Sequence, residues 1–241
     1  MKKIATLTLG LAVLANAHFL TFLPSSDNIS DKSKTKIDFD ISFIHPFEQS
    51  GMTMEKPKLY LNSLDKTLSL NETKKFDHKA WNSSYDIKTP GVYKFFVQPQ
   101  PYFEPSEEKF ISHVPKVVIS SFGLEDGWDE PVGLKYEIIP MVKPFALYAG
   151  NLFQGKVLHN GKPAINTEVE VELYNEFGLE AASDAHITQV VKTDDNGVFS
   201  FVMNHKGWWG FAALIEEGEL KHTDGKMYVI ENGALMWVKA Y

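Results

Sequence analysis

Apolar and polar positions alternate with a period of two along much of this chain. Ile37-Asp38-Phe39-Asp40-Ile41-Ser42-Phe43-Ile44 is the clearest early case. Such a pattern turns one face of an extended strand toward a core and leaves the other polar. His45-Pro46 closes the run, because proline has no N–H to give to a ladder. Residues 58–61 and 67–70 predict two further strands. Residues 81–87 lead to the turn signal Pro90-Gly91, and residues 92–97 predict the strand after it. Pro99-Gln100-Pro101-Tyr102-Phe103-Glu104-Pro105 reads as a rigid aromatic loop. Residues 111–120 predict a strand with an edge or bulged portion around Pro115.

The second half has sharper punctuation. Residues 151–158 predict a strand, and Asn160-Gly161 is a strong hairpin signal. Residues 167–174 alternate almost without fault, which assigns Glu168, Glu170 and Glu172 to a solvated face. Residues 189–192 and 198–203 predict a hairpin about Asp194-Asp195-Asn196-Gly197. Residues 207–214 read as a buried aromatic strand, and residues 235–238 are expected to close the sheet. The expected fold class is therefore all-β. An N-terminal β-rich domain would cover residues 18–144, and a β-sandwich over residues 145–241 would fold by itself.

The first residues change the picture. Lys2 and Lys3 precede an apolar run over residues 4–14, and Ala15-Asn16-Ala17 is an A-x-A cleavage pattern. Residues 1–17 thus read as a signal peptide, too short to span a bilayer, and the expected location is the periplasm. Cleavage after Ala17 would leave 224 residues beginning with His18 and move the formal charge from −7 to −9. That acidic balance argues against nucleic acid and against an anionic membrane surface as partners. No cysteine is present, so neither disulfides, a Cys-linked lipid anchor nor a thiolate metal site can form. After Ala17 no apolar run approaches 18 residues, and no membrane span is expected in the mature chain.

An amino-terminal histidine can grip one metal ion through its α-amine and Nδ1 together. Of eight histidines, His78, His159, His186, His205 and His222 fall in polar turns or charged stretches and read as surface residues. His45 differs: it ends a strand, is held by Pro46, and is followed by Glu48, Met52 and Met54. Imidazole, thioether and carboxylate together suit Ni²⁺, Co²⁺ or copper, although the two methionines would serve equally well to pack a loop on the core. His113 lies in a strand-like segment, where it fits both a core histidine and a ligand. Glu104 is a candidate to support a ligating histidine from behind. The candidate metal residues are accordingly His18, His45, His113, Met54 and Glu48. No nucleophile–base pair, phosphate loop or paired-carboxylate signature occurs at a diagnostic spacing, so the expectation is a non-enzyme.

Several segments together resemble the family carrying domain of unknown function 4198. They are Ala17-His18-Phe19, His45-Pro46-Phe47-Glu48 with Met52-Thr53-Met54, residues 101–105 with residues 109–113, residues 122–129, and Gly207-Trp208-Trp209-Gly210-Phe211. The resemblance implies an exported β-protein associated with nickel and cobalt uptake by energy-coupling-factor (ECF)-type ABC transporters. It also implies a transthyretin-like or carboxypeptidase-regulatory-like sandwich at the C-terminus.

The function expected is capture of nickel or cobalt for uptake, with the metal and an ECF-type ABC metal transporter as partners. Copper and zinc remain open as the metal, since copper wins on intrinsic affinity at such donors. The alternative from another class is a copper-binding oxidative enzyme or copper chaperone using the same amino-terminal chelate. A third reading is a β-sandwich that holds no metal.

Overall fold

A computed structural model describes residues 18–241, and the expected leader, residues 1–17, lies outside the described residues. In the first half the strands are β1 (Phe19–Pro24), β2 (Asn28–Ile29), β3 (Lys36–His45), β4 (Ser50–Met52), β5 (Lys58–Leu61), β6 (Ser63–Leu68), β7 (Asn71–Lys75), β8 (His78–Asp86), β9 (Gly91–Gln98), β10 (Tyr102–Glu104) and β11 (Lys109–Ser121). The second half adds β12 (Tyr136–Pro140), β13 (Leu152–His159), β14 (Lys162–Pro163), β15 (Glu168–Leu173), β16 (Gln189–Lys192), β17 (Val198–Val202), β18 (Gly207–Lys221) and β19 (Met227–Ala240). The described chain is all-β apart from one 3₁₀ turn at Asp184–His186.

Three sheets stack in layers. The large central sheet runs β16-β15-β18-β19-β11-β9-β5-β6, with β10 and β2 attached to β11. One outer sheet is β1-β3-β8-β7 with β4 on β3, and the other is β12-β13-β14 with β17 on β13. Successive residues of a strand point to opposite faces, so the central sheet feeds two cores. Trp208, Ala212, Leu235 and Trp237 join the core shared with β1, β3 and β8. Their chain neighbours Trp209, Phe211, Ala213, Met236 and Val238 join the core shared with β12, β13 and β17.

Three expectations change. β19 does not close the sheet: it lies centrally, antiparallel to β18 and parallel to β11. β16 and β17 do not form a hairpin, because β16 pairs with β15 in the central sheet and β17 crosses to β13 in the outer one. Pro115, by contrast, lies as expected in an edge portion of β11. Residues 109–111 pair with β10 and residues 117–120 with β9, so the stretch between them has β19 as partner on one side only. A residue without an N–H tolerates that placement. Finally, the β15 glutamates are not all solvated. Glu168 is exposed, but Glu172 is 1% exposed and lies on the face turned toward the first core.

The expected division at Pro144 falls between β12 and β13, which pair antiparallel from Tyr136↔His159 to Pro140↔Gly155. The Asn160-Gly161 turn is as expected: both residues have positive φ, 52° and 72°, the conformation a tight hairpin requires.

Candidate functional site

β1 and β3 pair antiparallel with Phe19 opposite Ile44. Continuing that register by one position sets His18 opposite His45, and side chains facing across a ladder lie on the same side of the sheet. Their ring centroids are 4.6 Å apart. The sequence placed these residues 27 positions apart; strand pairing makes them neighbours.

His45 is held by more than Pro46. Asn175, just beyond β15, donates its backbone N–H to the Pro46 carbonyl at 3.1 Å and its side-chain amide to the Phe47 carbonyl at 3.2 Å. Gln49 Nε2 returns a bond to the Asn175 carbonyl at 2.5 Å. The loop after His45 is therefore fastened to the central sheet.

His18 is fixed by carboxylates from the β10 region. Its Nε2 is 3.0 Å from Glu104 Oε2, and its Nδ1 is 4.0 Å from Glu107 Oε1. Phe43 stacks against the ring at 5.7 Å. Burial pushes the Glu104 carboxyl up. Hydrogen bonds to its Oε1 from Ser106 N and Oγ, at 3.0 and 2.6 Å, and the nearby histidines outweigh that and hold it below the ordinary carboxylate value. A carboxylate only accepts, so the proton of a neutral His18 ring sits on Nε2 and the Nδ1 lone pair is free. Burial, then the charge of His45, holds the His18 imidazole below its ordinary value, against the upward pull of Glu104 and Glu107.

A chain of charges leads from His18 into the central sheet. Lys109 Nζ donates to Glu107 Oε2 at 2.6 Å and also to Glu231 Oε2. Glu231 Oε1 lies 3.2 Å from His113 Nε2. Burial opposes ionisation of Glu231, but His113 and Lys109 prevail and bring it to about 2. Glu170, in the same region, is driven the other way by burial, to about 7. His18, Glu107, Lys109, Glu170, Glu216 and Glu231 line a cleft of about 620 Å³.

His113 is 2% exposed, with Gly233 of β19 opposite it. A Cβ at Gly233 would lie 2.3 Å from His113 Cδ2, so only glycine leaves room for the ring. Met54 is 6% exposed, packs in the first core, and accepts a hydrogen bond from Trp81 Nε1 on its carbonyl at 3.4 Å. Glu48 is exposed, and its charge bears on Glu172. The structure thus brings His18 and His45 together. It sets His113 and Met54 in the wall of an adjoining cavity and leaves Glu48 at the surface. Glu107, Glu231 and Asn175 were not found from the sequence, since each meets its partner across more than 50 residues of chain. Among the described residues, no three His, Asp or Glu side chains converge closely enough as placed to hold a metal ion.

Three of the histidines set aside have partners elsewhere. His159 stacks on Tyr136 and pairs with Glu217 at 2.7 Å, His205 meets Asn204 at 2.9 Å, and His222 stacks on Phe103 at 4.0 Å. No helix among the described residues is long and apolar enough to cross a membrane.

Comparison with known proteins places the chain by sequence. No curated protein matches it. Among solved structures, the D0–D1 domain of intimin is similar at 13% identity, covering 92% of this chain and 97% of that one with a TM-score of 0.26. Fibronectin(III)-like modules of Clostridium thermocellum CbhA match at 8% identity over 90% and 95% of the two chains, TM-score 0.26. The Yersinia pseudotuberculosis adhesin InvE matches at 10% over 89% and 58%, also 0.26. The profile described as Domain of unknown function (DUF4198) matches residues 15–217, which include His18, His45 and every carboxylate around them except Glu231; the chain belongs to that family.

Proposed function

We propose that this protein is a periplasmic carrier that captures a divalent transition metal, nickel or cobalt, for uptake through an ABC-type transporter. The observation that carries the reading is the Glu104 carboxylate 3.0 Å from His18 Nε2. A ligating imidazole characteristically gives its second N–H to a carboxylate, which fixes the tautomer and raises the basicity of the ligating nitrogen. Here that arrangement frees Nδ1, the nitrogen that closes a chelate with the α-amine of the same residue. Cleavage after Ala17 would supply the amine, and His45, across the strand pair, would supply a further nitrogen. The depressed His18 value keeps its ring neutral, as a ligand must be. Glu104 and Glu107 would offset the charge of the cation. A nitrogen-rich set suits nickel, cobalt and copper better than magnesium or calcium.

The test compares protein starting at His18 with protein carrying one extra alanine before it. The extension turns the chelating amine into a peptide nitrogen. Titration with Ni²⁺, Co²⁺ and Cu²⁺ should show binding at least tenfold weaker in the extended form. Equal affinities would remove the chelate from the proposal. Copper-dependent peroxide consumption by the correctly processed protein would replace capture with an oxidative enzyme.

A further inference from the structure

Beside the histidine pair lies a second cavity of about 210 Å³. Its buried floor is Leu20, Phe43, Met54, Ile111 and His113, with Tyr102 at the side. Thr53, Gln100 and Pro101 form an exposed rim, so the cavity opens between the segment after β4 and the proline-rich loop before β10. Phe43 separates it from His18, stacking on His18 at 5.7 Å and tilting against Tyr102 at 5.1 Å.

One polar atom in this wall has no partner among the described residues. His113 is 2% exposed, yet its Nδ1 makes no hydrogen bond. Nε2 is committed to Glu231, and the Cδ2 side of the ring lies against Gly233. The Nδ1 edge is turned away from both. In the imidazole tautomer that donates from Nε2 to Glu231, Nδ1 is an acceptor. Buried polar atoms are almost always satisfied, and an exception points to a missing partner. An apolar cavity of about 150 Å³ already accepts a benzene ring, so this space suits one or two fused rings.

We propose that this cavity binds a small aromatic molecule that donates one hydrogen bond, from a hydroxyl or ring N–H, to His113 Nδ1. Apolar walls with one buried, unpartnered acceptor define that class, while Thr53, Glu55 and Gln100 keep the mouth polar: the ring fills the space between Phe43, Tyr102 and Ile111, and the donor fixes its orientation. The site does not depend on the metal reading.

The experiment uses the mature chain stripped of metal with a chelator. Phenol supplies the ring and the donor. Anisole supplies the ring and an ether oxygen but no donor. Calorimetry should show phenol bound at least tenfold more tightly than anisole, and the ¹⁵N resonance of His113 Nδ1 should move on adding phenol. In His113→Phe the two affinities should come within threefold of each other. Should that variant fail to fold, Thr53→Trp at the exposed rim should cut phenol affinity at least tenfold while leaving the fold intact. Equal affinities for the two probes, no binding of either, a phenol preference that survives His113→Phe, or unchanged binding in Thr53→Trp would each overturn the proposal.

Discussion

His18 faces His45 across the end of the β1–β3 pair, their ring centroids 4.6 Å apart. His45→Ala removes one ring of this pair, whereas His205→Ala removes a ring whose contact is the neighbouring Asn204. We expect His45→Ala to weaken Ni²⁺ binding by at least 10–100-fold, the loss typical even of groups that only support a ligand. His205→Ala should leave binding unchanged. Calorimetry on both folded variants decides it, and equal losses would take His45 out of the site.

Glu104→Gln tests the carboxylate behind His18. The amide still accepts one hydrogen bond but carries no charge, so it fixes the tautomer less firmly and leaves the cation less compensated. Metal affinity should fall about tenfold, the lower end of such effects, with little change in melting temperature. An affinity equal to that of the parent would mean that the contact at 3.0 Å only stabilises the fold.

How much of this could be read from the chain depends on range. Alternation located β3 within a residue or two, since residues 37–44 were expected and Lys36–His45 is observed. The Asn160-Gly161 turn was equally legible, because its residues are the chemical requirement of its geometry. What alternation cannot tell is what lies over each face. Glu170 and Glu172 follow the period correctly, but Glu172 is turned toward the first core rather than water, and Glu170 lines the cleft. The same holds for the site. His18 and His45 stood out as a cleaved terminus and a strand end, whereas Glu231 and Asn175 carry no local signal. β19 brings Glu231 beside His113 by a parallel pairing, and Asn175 reaches back 128 residues to Phe47.

Glu172 predicts how stability responds to pH. Burial raises its carboxyl to about 8, although Thr188 Oγ1 donates to Oε1 at 2.6 Å and pulls the other way. A folded value above the unfolded one means that the fold favours the protonated acid. Its contribution is complete below the unfolded value of 4.5 and is lost as pH rises through about 8. Chemical denaturation from pH 4.5 to pH 8.5 should show Glu172→Gln, which stays neutral, gaining on the parent by on the order of a few kcal/mol at the upper end. A constant difference across that range would mean that Glu172 is ionised in the fold.

Gly233→Ala places a methyl group 2.3 Å from His113 Cδ2 and 2.6 Å from Cγ, inside a ring position that is 2% exposed. The ring must shift, and the His113–Glu231 contact must lengthen with it. Destabilisation should be about 1–3 kcal/mol, the usual cost of overpacking a core. The Nε2 resonance of His113 should move as well. An unperturbed melting temperature together with an unperturbed resonance would contradict the close packing of His113 on β19.

The last prediction concerns residues 145–241 expressed alone. Their strands alternate well and their turns are well formed, which suggests an autonomous sandwich. The layered arrangement argues otherwise. Cutting at Pro144 separates β13 from β12, with which it pairs over five residues. It also strips β19 of its parallel partner β11 and uncovers Trp208, Leu235 and Trp237, which pack in the first core against β1 and β3. An exposed strand edge beside freshly bared aromatic surface favours association over folding. The fragment should therefore aggregate or give a spectrum without dispersed tryptophan signals. A fragment beginning before Tyr136 regains β12 but still lacks β11, and should improve only in part. A monomeric 145–241 fragment with a cooperative melting transition would mean that the second core suffices without the first.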